Sequence, residues 1–473
     1  MSKFNYIMLY HDTIVALATA SGAGAVAIIR VSGAASFAIV NTVFKSVHKK
    51  DLSLQKTHTL HLGYIVDGEK TIDQVLVSVF RNPNSYTGED VVEISCHGST
   101  FIQQQIIQLL LRKGCRMAQP GEFTLRSFLN GKMDLSQAEA VADLITADNE
   151  ASHQIAMNQM RGGFSNEIAK LREELLNFAS LIELELDFSE EDVEFADRSD
   201  FSDLLNRIDF VLKRLIDSFA VGNVIKNGIP VAIVGEPNVG KSTLLNALLN
   251  EERAIVSDVA GTTRDTIEDE LNIGGVGFRF IDTAGIRETK DVVESIGIQK
   301  TFEKIEQAQV VLFLIESFKF QSSGSQYIVE IEKIKNKYPQ KPLVVILNKV
   351  DLLSEDELRS IEQQLATHNF ELSAISAKQK IGIEELKQTL LSFVNTGALR
   401  NNETIITNTR HYDSLLKALE EIQKVQWGLQ SNISADLMAI DIRQALYYFG
   451  EITGQVTNDE LLGNIFANFC IGK

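Results

Sequence analysis

Cysteine, proline and tryptophan are scarce in this 473-residue chain, at three, six and one. The cysteines, Cys96, Cys115 and Cys470, form neither an even set nor a Cys-x-x-Cys pair, which excludes a disulfide framework and a zinc ribbon and fits a reducing cytosol. No run reaches the ~18 uninterrupted apolar residues of a membrane span, and the early apolar stretch Tyr6 to Tyr10 is broken by His11-Asp12. Ala18-Thr-Ala20 lacks the apolar region that a signal peptide places before such a site, so a soluble, cytoplasmic protein with no membrane contact is expected. Positive charge is also short: 45 Lys+Arg stand against 63 Asp+Glu, a net −18 that argues against broad capture of nucleic acid. Any RNA contact must be local. The acidic stretch Asp187 to Glu194 reads either as a divalent-cation site or, more simply, as a solvated face or connecting loop.

What is present is decisive. Gly235-Glu-Pro-Asn238-Val239-Gly240-Lys241-Ser242-Thr243 follows the apolar run Ile229 to Val234 and precedes Leu-Leu-Asn-Ala-Leu-Leu, so its glycines sit where a buried strand turns into a helix. Glycine lets the backbone wrap phosphate, the helix N-terminus faces the anion, Lys241 reaches the outer phosphates and Ser242 can ligate magnesium. Asp282-Thr283-Ala284-Gly285 closes the strand-like Phe278-Arg-Phe-Ile; its carboxylate can hold the metal's shell and the Gly285 amide can meet the terminal phosphate. Asn348-Lys349-Val350-Asp351 follows the apolar run Leu343 to Leu347, and a carboxylate there can accept from the ring N–H and amino group of guanine, an edge that adenine lacks. Ser376-Ala377-Lys378 completes the set. GTP is the expected substrate, and hydrolysis rather than mere binding the expected activity.

Gly261-Thr262-Thr263-Arg264-Asp265 reads as a switch segment, with Thr263 a second magnesium ligand when the terminal phosphate is present. Ile286 stands where Ras-like proteins carry a water-orienting glutamine, so another residue or ion must supply catalysis. Glu294, in the segment Arg287 to Ile298, is a candidate for that role and reads equally as an exposed helix carboxylate.

The length predicts two or three domains. Residues 1–125 read as mixed α/β, with strand-like runs at Ala25 to Val31, Val75 to Phe80 and Val91 to Ile94. From Leu135 the period becomes helical: Ala138, Val141, Ala142 and Ile145 share one face, as do Leu171, Leu175, Phe178 and Ile182. Residues 126–224 are expected to be a first helical part, 225–398 a doubly wound parallel-sheet GTPase domain, and 399–473 a second helical part with faces Leu415, Leu419, Ile422 and Leu437, Ile440, Ala445. The fold class expected is thus multidomain, α/β and all-α, with a Ras-like P-loop domain inserted between two halves of a helical domain.

The terminal Phe469-Cys470-Ile471-Gly472-Lys473, Asn84-Ser-Tyr-Thr-Gly-Glu-Asp-Val-Val-Glu93, Pro120-Gly-Glu-Phe123 and Phe128-Leu-Asn-Gly-Lys132-Met-Asp-Leu-Ser-Gln-Ala-Glu-Ala resemble the MnmE (TrmE) tRNA-modification GTPases over essentially the whole chain. The resemblance implies a homodimer working with a flavoprotein, MnmG, in a heterotetramer that builds an aminomethyl or carboxymethylaminomethyl group at C5 of the wobble uridine of certain tRNAs. It implies a folate in the N-terminal domain, a 5-formyl- or methylene-tetrahydrofolate, at positions matching Arg30, Glu93, Lys132 and Lys473. Their chemistry suits it: a carboxylate can accept from neighbouring pterin N–H groups and a cation can meet the glutamyl tail. Arg30, in a strand-like run, could equally do no more than pair with an acid.

The resemblance further implies potassium-stimulated hydrolysis, the ion standing in for an arginine finger. Asn238, Ser257, Val259 and Thr262 match its ligands, within a nucleotide-lining loop Ser257-Asp258-Val259-Ala260-Gly261. Glu294 falls at the water-positioning glutamate, with Arg287 a lesser candidate. The chain departs from the family pattern in the residues before Asp12 and in Ser21-Gly-Ala-Gly-Ala, which puts the loop near Arg30 in question. Cys470 is a tempting nucleophile whose role stays open, because reactivity needs a lowered thiol pKa. Two rival classes are a nucleotide-switched RNA-binding or ribosome-assembly factor, which the missing basic module disfavours, and a folate enzyme acting on a small metabolite under GTP control.

Overall fold

The computed structural model describes residues 12–187, 198–249, 269–281, 302–368, 370–393, 404–431, 433–457, 459–467, 469–470 and 472. They divide into two compact units: residues 1–146, 156–213 and 413–473, and residues 147–155 and 214–412. Each is described on its own.

The first unit opens with a seven-stranded sheet, order β3-β4-β5-β6-β2-β1-β7. Its strands are β1 (Ile14–Leu17), β2 (Val26–Ser32), β3 (Phe44–Ser46), β4 (Thr59–Asp67), β5 (Lys70–Phe80), β6 (Val91–His97) and β7 (Arg116–Met117). The strand-like runs read from the sequence fall on β2, β5 and β6, the first of them starting one residue ahead of β2 at Ala25. Alternation decides the faces. Ala27, Ile29, Val31, Val75, Val77, Val79, Val92, Ile94 and Cys96 are buried in one core with the helices Ser36–Val43 and Thr100–Arg112. The opposite face carries Arg30 paired with Glu93, then Ser78 and Leu60 across the register, and Ile28, Ser95, Leu76 and Leu62 in the next row.

The chain then becomes helical. Within the long helix Gly163–Asp187, Leu171, Leu175 and Ile182 are buried as their spacing predicts, and the helix packs on Ala435–Thr453. Arg443 Nη1 donates to Glu183 Oε1 at 3.0 Å across that pair. The expected face of Ala435–Thr453 needs correction: Ala445 is buried, but Leu437 and Ile440 are 53% and 55% exposed. The buried stripe is Met438, Ala439, Ile442, Leu446 and Phe449. This helix is apolar over more than one stripe, so periodicity offered two solutions and packing selected the other. Ile145, placed on a buried face by spacing, is likewise 42% exposed. The last helix, Asp459–Ala467, buries Leu462 and Phe466, together with Phe469 beyond it, against Leu125, Phe128, Leu129, Leu135 and Ala138.

The second unit holds a six-stranded sheet, order β13-β12-β11-β8-β10-β9. Its strands are β8 (Ile229–Val234), β9 (Asp269–Ile273), β10 (Val276–Phe280), β11 (Val310–Glu316), β12 (Leu343–Asn348) and β13 (Glu371–Ile375). β8, β10, β11, β12 and β13 run parallel, and the central β8, β11 and β12 are buried on both faces, which is why their sequences are nearly unbroken apolar runs. The edge departs from an all-parallel sheet: β9 pairs antiparallel with β10 through the turn Gly274-Gly275. Helices Lys241–Leu249, Ser317–Lys337, Glu355–Ala366 and Ile383–Ser392 cover the faces.

Candidate functional site

At the carboxyl end of β8 the chain turns through residues 235–240 into the helix Lys241–Leu249. Gly240 has φ +103°, and a Cβ there would lie 2.3 Å from Asn348 Nδ2, so only glycine permits this approach. Asn348, 2% exposed, is the junction of three motifs. Its Nδ2 donates to the Val239 carbonyl at 2.8 Å, and its Oδ1 accepts from the amides of Lys349 at 2.8 Å and Ala377 at 3.1 Å. Its side chain therefore spends its hydrogen bonds holding the site together.

Lys241 Nζ donates to the carbonyls of Gly235 at 2.7 Å and Glu236 at 2.8 Å, so its charge rests on the loop that it serves. Burial pushes its pKa down; Lys304 adds to that and Glu236 opposes it. Ser242 is half-buried and Thr243 exposed on the helix's first turn, and Val350 is half-buried. Asn238 and Lys349 both take left-handed φ, +66° and +65°. Asp351 is exposed and accepts from Gln379 Nε2 at 3.3 Å. Ser376 is buried, its hydroxyl accepting from the Gln379 amide at 3.3 Å, and Lys378 is exposed. Ser257, Asp258, Val259, Ala260, Gly261, Thr262, Thr263, Asp282, Thr283, Ala284, Gly285, Arg287 and Glu294 lie outside the described residues, as does Lys473.

A second constellation forms on the open sheet face of the first unit. Arg30 Nε donates to Glu93 Oε1 at 2.8 Å, and Arg30 Nη1 donates to the Gly472 carbonyl at 3.3 Å. The guanidinium lies 5.4 Å from the Tyr86 ring and 5.6 Å from the Phe123 ring. Gly472 has φ +104°, and a Cβ there would lie 2.1 Å from the Leu17 carbonyl oxygen, so the tail seats only with glycine at this place. Cys470 is exposed, its carbonyl accepting from the Gly121 amide at 3.4 Å. Lys132 is not bonded to the pair; its ammonium donates to the Pro83 carbonyl at 2.9 Å, on the loop that also carries Tyr86. Tyr86 and Phe123 were missed as neighbours of Arg30, although both lie inside the motif segments.

Beside this group runs an ion network that the sequence did not expose. Arg126, whose side chain is 2% exposed, donates to Asp12 at 2.8 Å, Glu122 at 2.8 Å and Glu89 at 3.2 Å. Arg116 Nη2 meets the same Glu122 at 2.6 Å. Burial opposes the charge on Glu122, but bonds from Arg116, the Gln119 amide and Arg126 overrule it and hold its pKa low. The four-residue spacing of Glu122 and Arg126 on one helix was the available signal.

Residues 13–132 match the family model described as GTP-binding protein TrmE N-terminus, and residues 135–470 match that of the MnmE helical domain. The protein of Flavobacterium johnsoniae named tRNA modification GTPase MnmE is 79% identical over 98% of this chain and 100% of its own length. That of Bacteroides fragilis, with the same name, is 55% identical over 98% of this chain and 99% of its own length. The chain belongs to the MnmE family of tRNA modification GTPases. Among solved structures, the FeoB G-domain of Methanococcus jannaschii is 26% identical, covers 35% of this chain and 97% of its own, and gives a TM-score of 0.24. The MnmE assignment rests on the family models and the full-length relatives. No described helix is long and apolar enough to cross a membrane.

Proposed function

We propose that this MnmE-family GTPase, as a homodimer joined to an MnmG-type flavoprotein in a heterotetramer in the cytoplasm, installs the carboxymethylaminomethyl or aminomethyl group at C5 of the wobble uridine. The tetrahydrofolate one-carbon unit is the chemistry that the cofactor supplies. Arg30 and Glu93 are the residues to hold it, with Lys132 and Lys473 as further cations for its anionic tail. The observation that carries this reading is the seating of the chain terminus on Arg30: the guanidinium lies against the Tyr86 and Phe123 rings and pairs with Glu93, both side chains partly accessible, which makes a polar site suited to a flat, hydrogen-bonding ring. Cys470 stands close enough along the chain to that pocket to be a candidate for chemistry.

The dimer reading is supported by Leu60, Leu62, Tyr64 and Leu76, which are 59%, 43%, 39% and 40% exposed. The first three share β4, Leu76 pairs with Leu62, and the row of Leu60 continues through Ser78 to Glu93 and Arg30. An apolar patch of this kind is what self-association buries.

In the GTPase domain, Lys241 and the backbone of residues 238–243 cradle the phosphates, while Asp351 selects guanine. Ser242, Thr263 and Asp282 offer the hard oxygen donors that magnesium takes, and Asn238, Ser257, Val259 and Thr262 a set for potassium, whose charge would stabilise the terminal phosphate. Glu294 positions water, with Arg287 in support, and hydrolysis drives rearrangement of an inserted domain spanning 225–398 between helical parts 126–224 and 399–473.

Mass-spectrometric analysis of tRNA nucleosides tests the whole. Cells lacking the gene should lose the modified wobble uridine, the wild-type gene should restore it, and Glu93→Gln should not. An unchanged nucleoside profile in the deletion strain would overturn the proposal and favour the ribosome-assembly reading.

A further inference from the structure

One polar cluster at the nucleotide face joins two motifs through residues, Glu316, Lys319 and Tyr327, that belong to neither. Glu316, the last residue of β11, has 16% of its side chain exposed and receives Lys349 Nζ at 2.8 Å. The same ammonium donates to the Asn238 carbonyl at 3.3 Å. Lys319, one turn into the helix Ser317–Lys337, bridges Glu316 at 3.4 Å and Glu236 at 3.8 Å. Further along that helix, buried Tyr327 donates its hydroxyl to Glu236 Oε2 at 2.9 Å. The phosphate loop is thus held at two points, Glu236 and Asn238, by a chain of charges that ends on the lysine of the guanine motif.

We propose that Glu316, seconded by Tyr327, is a positioning residue for nucleotide binding that acts through Lys349 and Glu236. Asn238 and Lys349 both hold left-handed backbone, which is uncommon for a lysine and less so for an asparagine. Glu316 supports that arrangement by fixing the lysine head against the Asn238 carbonyl. The loop and the guanine motif are thereby fixed relative to each other by the protein's own contacts, so nucleotide binding does not have to order them. Losing Glu316 would leave the Lys349 ammonium with the Asn238 carbonyl alone among the described residues, and the loop short of one tether. The inference rests on the nucleotide-site assignment and concerns affinity, not the chemical step.

The test uses the full chain and fluorescent GDP and GTP in a double-mutant cycle. Glu316→Gln should weaken both nucleotides about tenfold, mostly through faster release, while kcat at saturating GTP changes less than about twofold. In a Lys349→Met background, Glu316→Gln should have a further effect of less than about twofold, carried by Lys319 and Glu236 alone. Affinity within about twofold of wild type would overturn the proposal, as would losses that multiply in the double variant, because a purely structural role would be independent of Lys349. Tyr327→Phe keeps the buried ring and removes only the bond to Glu236. It should cost about threefold in affinity, and it decides the matter if Glu316→Gln fails to fold: unchanged affinity would then overturn the proposal. Failure of the nucleotide-site assignment itself would appear differently, as wild-type protein that does not bind the probes.

Discussion

Arg126 and Lys241 are both cations withdrawn from water, and they are treated in opposite ways. Arg126 is surrounded by three carboxylates that belong to the protein, from Asp12, Glu89 and Glu122. Its charge is answered within the fold. Lys241 rests on two backbone carbonyls, partners that carry dipoles but no net charge. The pKa directions follow: burial opposes the charge on Arg126, but Glu89 and Glu122 overrule it and raise the value, whereas burial prevails for Lys241 and lowers it. Among the described residues Lys241 bonds only carbonyl dipoles, and a cation so placed is poised for an anion from outside, which is the position a phosphate-binding lysine should occupy. The contrast separates structural charge from functional charge without reference to any motif.

Replacing each in turn should break the comparison most sharply. Arg126→Met leaves buried Glu122 without one of its two arginines, and loss of one partner from a buried ion pair costs about 3–5 kcal/mol. Thermal unfolding should show a large drop in the transition of the first unit, with guanine-nucleotide affinity little changed. Lys241→Ala should do the reverse: melting nearly as wild type, and GTP affinity reduced about 100-fold, or about 2.7 kcal/mol. If Lys241→Ala destabilised the fold as much as Arg126→Met, the distinction drawn between the two would be wrong.

Titration offers a smaller, graded version. Asp12 is held below its ordinary value first by its hydrogen bond from Arg116, against burial, and then by Arg126; Glu122 is held low against burial by the same two arginines and the Gln119 amide. Carboxylates with depressed folded pKa values contribute stability that is present above their unfolded values, 3.8 and 4.5 here. That contribution is lost as pH falls through the lower folded values. Asp12 is 42% exposed, so solvent screening leaves Glu122 the larger share. Denaturant unfolding between pH 5 and about pH 2.5 should show this loss in wild type and a flatter profile in Glu122→Gln. Lys241 titrates with the opposite sense: its charged form receives the phosphates, so GTP affinity should fall as pH rises through its lowered pKa.

In the second unit the elements that carry the described motifs were legible, because those motifs require particular backbone: Gly240 approaches Asn348, and the apolar runs of β8 and β12 are buried parallel strands. The first unit was less legible. Arg30 and Glu93 lie 63 positions apart and meet only through the register of β2 with β6, which alternation alone does not supply. Gly472 reaches Arg30 from 442 positions away. The misplaced face on Ala435–Thr453 shows the other limit, since Leu437 and Ile440 are as apolar as the residues that the neighbouring helix chose to cover. Glu316 and Tyr327 escaped notice because nothing in their local sequence differs from an ordinary strand end and amphipathic helix.

The same contrast between closed and open chemistry can be read on the thiols. Cys96 and Cys115 are 3% and 7% exposed, and burial pushes their pKa values up to about 11 and about 12, with Asp73 adding to the effect at Cys96. At pH 8 the thiolate fraction of each is then on the order of 10⁻³ to 10⁻⁴, and reagent can reach them only through opening of the sheet core. Cys470 is exposed at the chain terminus, next to the tail that seats on Arg30. A chromogenic disulfide should therefore label one thiol in a fast phase and the other two at the rate of local unfolding. Cys470→Ser should abolish the fast phase and leave the slow one unchanged. If the fast phase survived that substitution, one of the core thiols would have to be open in the native state, and the sheet core of the first unit would be less closed than the burial of Cys96 and Cys115 requires.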